Sequence, residues 1–448
     1  MSTTAPPVQQ ARRAAAAAAV GSLVEWYDFA LYGAAAALVF NSYFFVDSSP
    51  TTGLLASFAT FAVGYFARPF GGVVFGHLGD KIGRKPVMVV TLGIMGVSTA
   101  LIGLLPSYQS VGILAPALLV LLRVVQGLGA GAEYAGAIVL SSEAAPVGHR
   151  GFYASWSGAG VWVGSALGLG TFQFALWATG DNFEQWGWRI PFLLSLVMLG
   201  ISLYIRRQVA ETASFEQAKS DDTKIPLFEL FRTAKGRLAL SLGSNFMLSG
   251  FSYIPQVWAL SYLTNDIGLA AMAGLGINAV VLAAGAAFMP VFGRLGDRVG
   301  RRRLFMFGAG FGVLWAFPMF ALIDTRVPAL IILALVVCFV GAVATCYAAQ
   351  AAFLAEMFPP AMRYSGVAFA REVSGALLGG TTPLIATALF AGFGHWWPVA
   401  VWMVVMATVA FVSVYLSKHY RSDADQGSDD HFNHLTDRPS DAVPTGAH

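Results

Sequence analysis

Gly76-His-Leu-Gly-Asp80-Lys-Ile-Gly83-Arg84-Lys85 has a near copy half a chain later, Gly293-Arg-Leu-Gly-Asp297-Arg-Val-Gly-Arg301-Arg302. Each stretch lies between long apolar runs. A basic segment duplicated this way is the layout of a membrane protein built from two repeated halves. A second duplication supports it. Glu143-Ala-Ala-Pro146 leads to Arg150-Gly151, and Glu356-Met-Phe-Pro359 leads to Arg363. Each follows its half's glycine-aspartate segment by two apolar runs. Repeats of the same topology imply a pseudo-two-fold axis along the membrane normal.

Composition agrees. The chain has 448 residues, 56% of them hydrophobic and 11% charged, with 49 glycines and 34 phenylalanines. Apolar runs recur along nearly the whole length, which excludes an ordinary soluble protein. A formal charge of +3 is too small to argue for nucleic acid. Cys338 and Cys346 share one apolar segment, so they make neither a structural disulfide nor a metal site. Arg12 and Arg13 precede the first apolar run, but that run is too long for a cleaved signal. It reads as a span that starts inside.

The expected spans are 18–46, 53–75, 87–105, 111–139, 152–179 and 189–206, then 238–263, 270–292, 304–323, 328–353, 364–391 and 395–416. The chain is therefore expected to be an all-α integral membrane protein of 12 transmembrane helices in two pseudo-symmetric six-helix bundles, 18–206 and 238–416. Residues 1–17 form an N-terminal tail, 207–237 a central loop with a short surface helix near Pro226–Phe231, and 417–448 a disordered tail. Lys and Arg concentrate in loops 76–86, 140–151, 207–237, 293–303 and 354–363, which places those loops and both termini in the cytoplasm. The localisation that follows is a multi-pass cell membrane protein.

Ionisable side chains at membrane depth point to function. The first span carries Glu25-Trp-Tyr-Asp28, two carboxylates on one helical face. The second carries Arg68, and the fourth Arg123, Gln126 and Glu133. Gln126 and Glu133 fall two turns apart on one face. The eleventh carries Arg371-Glu372. Arginine does not deprotonate, so Arg68, Arg123 and Arg371 need anions, from the protein or from a substrate. Asp28 with Arg123 reads as the proton-coupling pair, the alternatives being a fixed ion pair or substrate contact. Glu133 reads as a second protonatable group or a bridge to the first span, and Glu25 as a coupling or gate residue. Arg68 has no acid in its own span. It reads as a clamp for a substrate carboxylate, or as a charge bracing the adjacent loop. Arg371 rather than Glu372 is expected in the cavity.

Tyr32, Gln126, Tyr134, Trp162, Tyr253 and Gln256, with Tyr27 and Trp258, are further expected lining. Pro255 breaks the seventh span near mid-depth. Asn245 and Asn278 read as lining or as bridges between helices. Gly76, Gly79 and Gly83 permit a tight turn, while Asp80 and Asp297 accept hydrogen bonds from a neighbouring helix start or pair with arginines. Together with Arg84, Glu143, Arg150, Arg301, Glu356 and Arg363 they read as a cytoplasmic gate.

Several of these stretches carry a family resemblance: Gly21-Ser-Leu-Val-Glu25-Trp-Tyr-Asp28-Phe with Tyr32-Gly33, Arg68-Pro-Phe-Gly-Gly72, Phe75-Gly-His-Leu-Gly-Asp80, Arg123-Val-Val-Gln-Gly127 and Gly131-Ala-Glu133-Tyr134. Over about 18–416 the chain resembles the metabolite:proton symporter family of the major facilitator superfamily, which includes carriers of shikimate, alpha-ketoglutarate, citrate, and proline or glycine betaine. The resemblance implies alternating access, a proton as coupling ion and no cofactor. It implies an Asp28–Arg123 coupling pair and carboxylate recognition by Arg68. Many members have a tyrosine and an asparagine where this chain has Ala370-Arg371-Glu372. The expected activity is proton-coupled uptake of a small organic acid, with a zwitterion such as proline or glycine betaine, or proton-driven export, as alternatives. No enzyme activity, metal or nucleic-acid partner is expected. The expected partners are a small carboxylated solute, the proton and the lipid bilayer, and the protein is expected to act as a monomer.

Overall fold

The computed structural model describes residues 7–82, 84–131, 150–208, 232–358 and 363–420. Gly83, Glu133, Tyr134 and Glu143 lie outside the described residues, as do the side chains of Asp80, Arg84, Arg150 and Arg363. The central loop's expected surface helix and the tail beyond residue 420 also fall outside them.

All regular secondary structure among the described residues is helical, because in lipid a helix satisfies every backbone polar group within its own segment. The principal helices are α1 (Pro7–Leu38), α2 (Pro50–Ile82), α3 (Arg84–Gly103), α4 (Leu114–Ala130), α5 (Arg150–Thr179) and α6 (Arg189–Gln208). There follow α7, which starts at Lys235–Ser244, α8 (Ala271–Val299) and α9 (Arg301–Asp324). Then come α10, which starts at Pro328–Cys338, α11, which starts at Arg363–Ser374, and α12 (Trp397–Leu416). Among the described residues, 7 helices are long and apolar enough to cross a bilayer, and Val89–Gly103, Leu114–Ala130 and Arg189–Tyr204 are shorter apolar helices. The acid-bearing α1 and the interrupted α7 are not in either set.

Two expectations about the basic repeats need correction. The repeats are not loops: α2 runs on through Gly76, Gly79 and Asp80 to Ile82, and α8 through Gly293 and Asp297 to Val299. Nor do all their glycines make turns. Gly300, at φ +91°, is the turn residue of the second copy, a conformation open to glycine at little cost. Gly293 instead allows close approach, since a Cβ there would meet Ser155 Oγ at 2.6 Å and the Gly151 carbonyl at 2.8 Å.

Small-residue seams position the site. A Cβ on Gly127 would collide with the Gly64 carbonyl, one on Gly131 with the Arg68 carbonyl, and one on Gly71 with the Leu128 carbonyl. Those contacts bring α2 and α4 together backbone to backbone. Gly160 and Gly164 do the same for α5 against Ala19 and Leu23 of α1. Close packing of this kind substitutes in lipid for the hydrophobic effect that drives soluble helices together.

Three helices are interrupted by π-helical turns: α7 at Phe246–Phe251 and Ile254–Trp258, α10 at Phe339–Ala344, and α11 at Gly375–Gly379. Pro255 lies in the second of these, as expected. Asn278 donates to the Gln256 carbonyl at 2.6 Å. Asn278 is thus a bridge between helices, and so is Asn245, which accepts from Gln350 at 2.5 Å. Cys338 and Cys346 are buried free thiols.

Candidate functional site

Arg68 is the centre of the buried polar cluster. Its guanidinium donates from Nη2 to Glu25 of α1 at 3.0 Å and from Nε to Glu372 of α11 at 3.1 Å. The side chains are 5% exposed for Arg68, 2% for Glu25 and 12% for Glu372. The rings of Phe29 and Tyr65 lie under the guanidinium, at 5.1 and 5.6 Å. Of the two sources of anion expected for Arg68, protein and substrate, the protein supplies both partners seen here. Its acids come from other helices, because the planar fork of arginine can hold two carboxylates at once. Glu372 also joins Arg371 in the cavity, where only Arg371 was expected. Arg371 Nη2 reaches the Tyr347 hydroxyl at 3.4 Å.

Asp28 and Arg123 do not form a direct ion pair. They are joined by a chain of hydrogen bonds: Arg123 Nη1 donates to Gln126 Oε1 at 2.6 Å, Gln126 Nε2 to Thr99 Oγ1 at 2.7 Å, and Thr99 Oγ1 to Asp28 Oδ2 at 2.8 Å. The guanidinium of Arg123 is fully buried and rests on the Tyr32 ring at 4.0 Å, with Phe29 and Phe61 at 4.9 and 5.1 Å. Among the described residues, its Nε and Nη2 have no hydrogen-bond partner. Aromatic faces stabilise such a cation but leave its donors unsatisfied. Tyr32 donates to Thr60 at 2.7 Å, and neither Tyr32 nor Gln126 is among the residues lining the two chambers described next.

The cavity itself is divided. A polar chamber is lined by Trp26, Tyr65, Arg68, Trp162, Leu248, Ser249, Ser252, Tyr253, Gln256, Tyr347, Arg371, Glu372 and Gly375, and an apolar one by residues that include Phe29, Gly33, Phe61, Leu169 and Val257. Trp26, Tyr65, Tyr253 and Gln256 border both. The Tyr65 and Tyr253 hydroxyls meet at 2.6 Å and make the partition. Free space is about 30 Å³ in the polar chamber and about 20 Å³ in the other. That admits a water but not an organic solute. Two expected lining residues lie elsewhere: Tyr27 bonds to Thr171 and the Pro191 carbonyl, and Trp258 stacks on Tyr262 at 5.0 Å.

At the end of the molecule that carries the basic repeats, Asp297 accepts from the backbone N–H of Gly151 at 2.8 Å and of Phe152 at 2.9 Å. Its carboxylate thus caps the positive end of α5, a helix of the first half. Arg301 pairs with Asp297 at 3.3 Å and also with Glu356, and Arg294 lies over the Phe152 ring at 4.4 Å. Removing the cap should loosen this end. In a background free of Cys338 and Cys346, a cysteine replacing the buried Ser155 should react with a maleimide about tenfold faster once Asp297→Ala is added, the effect of ~1.4 kcal/mol. Equal labelling rates would mean that the two bonds do not hold the end shut.

Sequence reasoning missed Trp26, Tyr65, Thr99 and Tyr347. Tyr65 stands one helical turn before Arg68, and Trp26 sits inside the acidic motif, so both had a local signal. Thr99 and Tyr347 sit in apolar runs and had none.

Membrane-crossing helices, repeated halves and a buried charged cavity define the class: a multi-pass integral membrane carrier. The Major Facilitator Superfamily model matches residues 18–363 and 240–439. The shikimate transporter of Escherichia coli (strain K12) is 38% identical over 404 residues, covering 89% of this chain and 92% of that protein. The proline/betaine transporter of the same strain is 34% identical over 407 residues, covering 88% and 81%. A crystal structure of a D-xylose–proton symporter shares the fold, with a TM-score of 0.70 at 19% identity, over 91% of this chain and 97% of that one. The chain belongs to the Major Facilitator Superfamily, and it is a membrane transporter.

Proposed function

We propose that the protein is a secondary transporter that couples the proton gradient to uptake of a small carboxylated solute. Two six-helix bundles, 18–206 and 238–416, make twelve spans that rock about the divided cavity, with both termini in the cytoplasm. Arg68 carries this reading: it is a buried fork already engaged by two carboxylates, in a chamber that bridges both halves. The transport of shikimate by a relative 38% identical is consistent with it. Asp28 and Arg123 supply the coupling. When Asp28 loses its proton, the unsatisfied Arg123 donors offer it a new partner, and a carboxylate that changes partners with its charge links protonation to conformation. The Asp297 cap and the Arg301–Glu356 pair close one end, and the Tyr65–Tyr253 bond separates the chambers when the site is shut.

A second reading, uptake of a zwitterion, is favoured by Glu372, because an ammonium group could pair with it while a carboxylate met Arg371. Proteoliposome uptake separates the possibilities. Shikimate, benzoate, lactate, proline and glycine betaine are offered under an inside-alkaline gradient. The expected result is saturable accumulation of at least one carboxylate. Accumulation only under the reversed gradient would identify an exporter, and non-saturable flux indifferent to pH would sink carrier function.

A further inference from the structure

We infer that Trp26, Trp162 and Gln256 read hydroxyl groups on the body of the solute, so that the cargo is a hydroxylated carboxylic acid. This rests on the reading of the chain as a carboxylate carrier and adds to it the chemistry that the solute presents away from its carboxylate.

A polar atom shut away from water without a hydrogen bond is costly, so native structures hold few of them. The polar chamber gathers three. Among the described residues, Trp26 Nε1, Trp162 Nε1 and Gln256 Oε1 have no hydrogen-bond partner, and all three residues line the chamber that holds Arg68. They are 6%, 1% and 7% exposed, so bulk water does not serve them. Much of the remaining polar wall is engaged. Arg68 and Glu372 hold each other, Tyr65 meets Tyr253, Ser252 donates to the Leu248 carbonyl, and Ser249 meets Ser374 at 3.3 Å. An unpartnered indole is not by itself a site. Trp188 Nε1 is equally unpartnered, but its ring packs among Phe40, Tyr43 and Phe192 and borders neither chamber. What sets Trp26, Trp162 and Gln256 apart is that they converge on one cavity.

The three come from three helices and are held in place. Trp26 follows Glu25, the α1 residue that grips Arg68. Trp162 of α5 lies 6.4 Å from the Trp26 ring and stands edge-on to Phe339 and Tyr347, at 4.8 and 5.1 Å. Gln256 sits in the π-helical turn of α7, where its carbonyl accepts from Asn278. Groups fixed in this way bind a ligand without first being ordered. Together they offer two N–H donors and one carbonyl acceptor, none of them charged. A hydroxyl accepts and donates, so it takes an indole N–H on its oxygen and gives its own proton to Gln256. A hydrocarbon body offers these atoms nothing. An ammonium donates to Gln256 but has no acceptor for the indoles, and a quaternary ammonium does neither. Trp26 and Gln256 also border the apolar chamber, so opening of the Tyr65–Tyr253 bond would join the two spaces around the solute's body.

The test measures binding to purified full-length protein by titration calorimetry at one pH. The probes are two pairs of acids, shikimate with cyclohexene carboxylate and lactate with propionate, plus glycine betaine. Within a pair the carboxylate and carbon skeleton are shared and only the hydroxyls differ. In the tighter-binding pair the hydroxylated acid should bind about a hundredfold or more tightly than its partner, because a site built for a hydroxyl rejects the analogue that lacks it. Trp26→Phe and Trp162→Phe keep an aromatic ring and delete the N–H, and each should cut that preference about tenfold. The comparison on the unaltered protein stands even if a variant folds poorly. Equal affinities within each pair, or variants that weaken both members alike, would overturn the inference while leaving the carboxylate reading standing. Binding of glycine betaine alone, or of none of the probes, would overturn both.

Discussion

Arg68→Ala should abolish transport and strongly destabilise the protein, with the two losses separable. The arginine is buried between two carboxylates on helices from different halves. Deleting one partner of a buried ion pair costs about 3–5 kcal/mol, because the remaining charge is left without compensation. Here two carboxylates would be stranded. Adding Glu25→Gln and Glu372→Gln to Arg68→Ala removes the stranded charges and should recover most of the stability. Transport should not return, since the buried fork that would hold the carboxylate is gone. Arg68→Lys should also fail, because an ammonium cannot serve two carboxylates with a planar fork. Thermal unfolding followed by size-exclusion chromatography gives the first readout, and proteoliposome uptake the second. A stable Arg68→Ala variant would show that the triad does not hold the halves together. A transporting one would remove Arg68 from the substrate path.

Asp28→Asn should uncouple the carrier without stopping it. A pH difference of one unit can sustain about tenfold accumulation for one coupled proton, the equivalent of ~1.4 kcal/mol. With a neutral amide in place of the Asp28 carboxylate, the ratio inside to outside should fall to about one, while exchange of labelled for unlabelled solute continues. In that variant the amide oxygen can still accept from Thr99, the bond that Asp28 Oδ2 receives at 2.8 Å. Retained gradient-driven accumulation would take Asp28 out of coupling. Exchange that vanished with accumulation would make Asp28 part of the solute path instead.

Much of this protein was legible before folding was considered. The duplicated glycine-aspartate segments, the apolar runs and the membrane-depth charges each have local signatures, and Glu25, Asp28, Arg68, Arg123, Arg371 and Glu372 all stood out as costly residues in lipid. Asp297 as the cap of a helix start was also readable, since a carboxylate beside a positive helix end is favourable wherever the two meet. The limits of the helices were less readable. Gly76–Asp80 and Gly293–Asp297 read as loop because they are polar and glycine-rich, yet helix runs through both, and among the described glycines of the repeats only Gly300 needs a glycine's conformation.

The amino-acid order by itself determined the class of protein, its repeat and the identity of its buried charges, because hydrophobic length and the cost of burying charge are properties of residues taken one at a time. Which charge meets which was decided only by the tertiary structure. Arg68 finds Glu25 and Glu372, and Arg123 reaches Asp28 through Gln126 and Thr99, because glycine seams bring α2 against α4 and both halves of the chain contribute to one cavity. Pairing between distant helices depends on backbone approach and rotation about each helix axis, and no periodicity within a single helix encodes either.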